Sequence, residues 1–121
     1  MRYVCLIYFD PRKVFDQSAE SNAVLADVGP HQAELHASGQ LVLAQPLALP
    51  SDAVTITVRD GKLSSTDGPF METKEMLGGL VIIEAPDLND AIRIAATNPF
   101  ARLGSIEVRP VPDYSKPRPV F

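Results

Sequence analysis

The side chains able to do acid–base chemistry here are few, and the imidazoles come first. His31 and His36 are the only two histidines in the chain. Five residues apart on a helix, they would point ~140° from each other, so they cannot chelate one metal ion together. His31 shares a helical stripe with Val24, Val28 and Leu35, which aims it inward, whereas His36 falls on the solvent side. An inward imidazole suits general acid or base work near neutral pH, and Glu34, one turn on, can orient or charge-pair it. The plainer role is that of a core histidine bonded to a backbone carbonyl.

A second concentration of chemistry is the stretch TDGPFMETKEMLGG, Thr66 to Gly79. Asp67-Gly68-Pro69 has the composition of a rigid turn, because Asp closes local hydrogen bonds, Gly frees the dihedrals and Pro fixes φ. In the functional alternative, Asp67, Glu72 and Lys74 face a pocket roofed by Phe70. Further on, Glu107 and Arg109 alternate with Ile106 and Val108 and so share one strand face, as an ion pair or as an anion-binding group. No dinucleotide, phosphate-loop, nucleophile-elbow or zinc pattern occurs, so neither a cofactor nor a metal is expected. Cys5 stands alone, which excludes an internal disulfide and a cysteine-based cluster.

The bulk properties narrow the partners. With 121 residues the chain has the size of one domain, read as residues 1–112, followed by an extended proline-rich tail at 113–121. Fifteen acidic against eleven basic residues give a net charge of −4, which opposes binding to a nucleic acid backbone. No apolar run approaches the ~18 residues needed to cross a bilayer, so no membrane role is expected. The short run at the N-terminus is ended by Asp10-Pro11 and makes a poor export signal, which points to the cytoplasm.

The elements that must position these groups follow from periodicity. Residues 2–9, RYVCLIYF, are apolar at odd and even positions alike, the mark of a central strand covered on both faces. A loop then runs to a helix from about Ala19 to Ser38, capped by Ser18, with a kink or restart expected at Gly29-Pro30. Residues 40–49 form an edge or bulged strand because of Pro46. Val54, Ile56 and Val58 share one face of a strand, and Asp60-Gly61 turns it into a half-solvated hairpin. Residues 77–85 make a second central strand with Gly78 and Gly79 allowing a bulge, and Asp87 caps a helix with a Leu88, Ala91, Ile92, Ala95 stripe ended by Asn98-Pro99. The last strand is 105–111. The order β-α-β-(β-hairpin)-β-α-β is that of a ferredoxin-like α+β domain. Two helices cover one sheet face only, so a second copy of the chain, packed sheet to sheet, is expected on the other.

Four motifs in order, DGPF at 67–70, ETKEMLGG at 72–79, EAPDLNDAI at 84–92 and NPFARLGSIEVRPV at 98–111, together with the first strand, resemble the DGPF subgroup of the YCII-related family. The resemblance implies a dimeric α/β barrel of ferredoxin-like subunits. Related barrels include isomerases, monooxygenases and dehalogenating lyases for small, often aromatic molecules, and DGPF proteins are often encoded near extracytoplasmic-function sigma factors. In the wider group a His–Asp pair is proposed; its histidine lies in a P-H-x-x-x-L setting, which His31 matches in GPHQAEL, but the partner aspartate is replaced here by Asn98. An amide cannot hold a negative charge against an imidazolium. Two functions remain in view. The first is a cofactor-independent lyase or isomerase with His31 as base, Asp67 or Glu72 in the aspartate's place, and Lys74 or Arg109 holding an anionic substrate. The alternative is a non-catalytic ligand-binding or interaction module linked to sigma-factor signalling.

Overall fold

The computed structural model describes residues 1–117, 119 and 120. Strand β1 (Arg2–Phe9) buries Tyr3, Cys5, Ile7 and Phe9 on one face and leaves Val4, Leu6 and Tyr8 half-buried on the other. Asp10-Pro11 ends it and starts a short helix, α1 (Pro11–Val14), where the sequence pattern suggests loop. Asp10 accepts the Arg12 N–H at 2.9 Å, and Pro11 sits at a helical position whose N–H would be unpaired anyway.

Helix α2 (Ala19–Ala37) is capped by Ser18, which accepts the Ser21 N–H at 3.1 Å. Of the kink or restart expected at Gly29-Pro30, the restart does not occur; the helix runs through Pro30 without interruption. Both residues are exposed, so water can satisfy the carbonyl left without a donor, and Gly29 has no Cβ to clash with the proline ring.

Strands β2 (Leu41–Pro46), β5 (Met76–Glu84) and β6 (Gly104–Pro110) join β1 in an antiparallel sheet of order β2-β5-β1-β6, which puts β1 and β5 at the centre. Register shifts mark the expected irregularities, one in β2 between Leu41 and Leu43 and one where β1 meets the glycines of β5. Between β2 and β5 the chain inserts a separate hairpin, β3 (Val54–Arg59) and β4 (Lys62–Asp67), turning at Asp60 and Gly61 with positive φ at both. This is the ferredoxin-like α+β architecture with an inserted hairpin. The hairpin differs in one respect: Val54, Ile56 and Val58 are 58%, 62% and 57% exposed, while Thr55 and Thr57 are the half-buried pair.

Helix α3 (Leu88–Ala96) is capped by Asp87, as expected. Its buried residues are Ala91, Ile94 and Ala95, whereas Leu88 and Ile92 are exposed, so the packed stripe is rotated from the expected one. Both longer helices cover the same sheet face, where the core residues Ile83, Val24 and Val14 are almost fully buried. A 3₁₀ turn, Pro99–Arg102, leads into β6.

At Gly104 a Cβ would lie 2.1 Å from the Tyr8 carbonyl oxygen, so backbone rather than a side chain would have to yield. Gly104→Ala should therefore destabilise the protein by about 1–3 kcal/mol, measured as a lower urea midpoint at unchanged slope. An unchanged midpoint would show that β6 can shift at no cost.

Candidate functional site

A cavity of about 560 Å³ lies between the sheet and α2. Ile7, Phe9, Met76, Gly78, Gly79 and Val81 line it from the sheet, Val28 and Gln32 from α2, Phe15 and Phe100 from its end, and the strap Pro46–Leu49 from the side. Its existence traces to one local feature. Ile7 pairs with Gly79 and Tyr8 with Leu77, which leaves Gly78 as the extra residue of a bulge. A Cβ there would come within 2.1 Å of the Phe9 ring, so glycine lets that ring lie against the strand. Phe9 stacks on Phe100 with centroids 5.1 Å apart and meets Phe15 edge-on at 5.9 Å. Phe100 is placed by Asn98, whose side-chain oxygen accepts its N–H at 3.0 Å, and the strap is tied down by Leu47 N–H donating to the Gly78 carbonyl at 3.0 Å.

The lining holds no ionisable side chain; its polar side chains are Gln32 and Gln45. Gln45 pairs with Leu80 across the strands, so its side chain belongs to the open sheet face, where its amide donates to the Pro46 carbonyl at 3.4 Å. The Gln32 carboxamide belongs to the helix side. Sequence reasoning missed Gln32, although the spacing Leu25, Val28, Gln32, Leu35 is as good a helical stripe as the one that singled out His31.

His31 sits on the other flank of that stripe. Its Nε2 lies 2.9 Å from the Thr97 hydroxyl, which itself donates to the Ile94 carbonyl at 2.6 Å. With its proton committed to Ile94, the hydroxyl can only accept, so Nε2 carries the hydrogen and the neutral ring keeps its lone pair on Nδ1. Burial lowers the His31 pKa, against a weaker upward pull from Glu34.

None of the other anticipated residues lines the cavity either. Asp67 closes β4 on the surface, where the Gly68 N–H donates to the Ala53 carbonyl at 2.7 Å and the Thr55 hydroxyl to the Gly68 carbonyl at 2.8 Å. Phe70 is 82% exposed and roofs nothing in the single chain, and Glu72 and Lys74 are exposed on the connection to β5. Arg109 is paired with Glu107 on the open face of β6. Cys5 is buried, and burial pushes its thiol up to about 11, too high for a reactive thiolate at neutral pH. Among the described residues no three of His, Cys, Asp and Glu converge as a metal set, and no helix is long and apolar enough to cross a membrane.

A family model, the YCII-related domain, matches residues 1–115. The chain belongs to the YCII-related family. An uncharacterised protein of Rhizobium meliloti strain 1021 is 32% identical over 117 residues, 94% of each chain. A solved structure with a similar fold is the 5-chloro-2-hydroxyhydroquinone dehydrochlorinase of Burkholderia phenoliruptrix AC1100, in complex with 2,5-dihydroxybenzoquinone. It superposes with a TM-score of 0.51 at 16% identity, covering 93% of this chain and 94% of that one, a likeness of fold alone. In this YCII-related chain Asn98 is engaged as a turn cap, and Thr97, the residue before it, meets His31.

Because burial lowers the His31 pKa, the folded protein binds this proton less well than the unfolded chain does. The group's contribution is complete above the ordinary value of 6.5 and is lost as pH falls from there through the folded value. Urea midpoints should drop across that window, and His31→Gln should remove this part of the drop. Thr97→Val should cost up to about 1 kcal/mol at neutral pH. An NMR titration placing His31 at or above 6.5 would contradict the assignment.

Proposed function

We propose that this YCII-related protein binds a small, planar, largely apolar molecule in the cavity between its sheet and α2. The observation that carries this reading is the lining, which combines three phenylalanines and two glycines with no ionisable side chain. Its volume lies within the range of small-molecule pockets. Proton abstraction needs a base within hydrogen-bond reach of the substrate, and these walls supply none. Binding without turnover is thus the function the geometry supports best, and the sigma-factor context implied by the DGPF motif is a setting in which a ligand sensor would serve. The one-ring quinone held by the dehydrochlorinase of similar fold is a molecule of suitable size and shape.

The lyase or isomerase reading keeps one specific support. His31 is half-buried, its tautomer is fixed by Thr97, and Nδ1 makes no hydrogen bond to the described residues. In that reading the substrate sits beside α2 and α3, outside the cavity. A methyl-labelled NMR titration with indole separates the two. Cavity binding should shift Ile7, Val28 and Val81 and disappear in Val28→Trp. Shifts confined to the surroundings of His31, with turnover lost in His31→Ala on an intact fold, would replace it by the catalytic reading.

The working form in this proposal is a homodimer. The single chain exposes 8604 Å², against about 6,400 Å² for a compact monomer of 13.1 kDa. Part of that excess comes from the exposed described residues that follow β6, which turn at Asp113–Lys116. Another part is apolar surface of the kind an obligate partner covers: the open sheet face with the half-buried Val4, Leu6, Leu80 and Ile82, and the bare hairpin face, where Leu63 across from Val58 is 70% exposed. Light scattering should give twice 13.1 kDa, and Leu6→Lys with Ile82→Lys should give a monomer. A wild-type monomer at micromolar concentration would exclude this arrangement.

A further inference from the structure

The cavity's one unengaged polar group restricts what it can hold. Gln32, half-buried, lines the cavity from α2 among walls that are otherwise hydrocarbon and backbone, and its carboxamide makes no hydrogen bond to the described residues, whereas the Gln45 amide is turned to the open face and bonded to Pro46. A carboxamide offers one acceptor oxygen and two N–H donors, so it can receive a hydroxyl hydrogen or donate to a carbonyl. What the walls cannot do is compensate a charge. Arg109 and Lys74, the cations best suited by type to hold an anion, lie outside the cavity, and Arg109 is already paired with Glu107. A carboxylate brought among Phe9, Phe100 and Val28 would lose its hydration and gain no counter-ion. The flat Phe9 and Phe100 rings, stacked at an interplanar angle of 12°, favour a planar ring system alongside them.

We propose that Gln32 is the specificity-determining residue of this cavity, and that its ligand is an uncharged planar ring system bearing a hydroxyl or carbonyl oxygen. This rests on the ligand-binding reading above and narrows it, because anionic aromatic acids are excluded. A ligand of one or two fused rings leaves space for the oxygen to reach the amide from α2.

Three probes of matched shape test it by calorimetry or fluorescence at neutral pH: naphthalene, 2-naphthol and 2-naphthoate. Wild-type protein should bind 2-naphthol at least about thirtyfold more tightly than 2-naphthoate. Gln32→Leu should weaken 2-naphthol about tenfold while leaving naphthalene within about twofold. Gln32→Met, closer in length and equally suited to a helix, should behave as Gln32→Leu does, which separates loss of the amide from altered packing. Binding of 2-naphthoate as tight as that of 2-naphthol would overturn the exclusion of charge. Equal weakening of naphthalene and 2-naphthol by both variants would reduce Gln32 to a wall residue. Failure of both uncharged probes to bind would instead remove the ligand-binding reading on which the inference rests.

Discussion

The contact between the Phe9 ring and the bare backbone of Gly78 is the constraint around which the rest is arranged. An added Cβ at Gly78 would overlap the ring at 2.1 Å, so the central pair of strands can close only if that side chain is absent. The ring, held there, becomes the surface on which Phe100 stacks and against which Phe15 leans. Those two residues come from opposite ends of the chain. One contact therefore links the turn after α1, the turn after α3 and the middle of the sheet.

The same contact explains why there is a cavity and not a filled core. Where α2 crosses the glycine bulge, the sheet presents no side chain at Gly78 or Gly79 to meet Val28 and Gln32. Elsewhere the helix layer meets Cys5 and Ile83 and closes tightly. Helix α2 continues through Gly29-Pro30, which keeps Val28 and Gln32 one turn apart on the same cavity wall. The continuity of that helix, which its sequence argued against, is thus a condition for the site.

Electrostatics divide the molecule in a complementary way. Apart from Arg12 with the buried Asp10, the charged pairs, Arg2 with Glu84 at 2.9 Å and Arg102 with Asp27 at 2.7 Å among them, are partly or largely exposed, where such pairs contribute little to stability. The cavity is left without any charge, so its chemistry is that of shape, dispersion and one amide. His31 belongs to neither region. It clasps α2 to α3 through Thr97, an interaction that a histidine on this stripe can make without touching the ligand space.

The order of strands and helices, the hairpin turn at Asp60-Gly61, the caps at Ser18 and Asp87 and the bulge at Gly78-Gly79 were all legible in the sequence, because each depends on residues within a few positions of one another. The short helix after Asp10 read as loop, since Asp-Pro stops a strand and starts a helix equally well. What the tertiary structure alone decided is which flank of α2 looks at the ligand space. His31 and Gln32 are neighbours about 100° apart around the helix, and both border the apolar stripe. Their fates differ only because α3 lies on one side and the glycine-floored end of the sheet on the other, an arrangement set by contacts more than forty residues away in sequence. Sequence spacing identifies the inward face of a helix, but it carries no information on what that face meets.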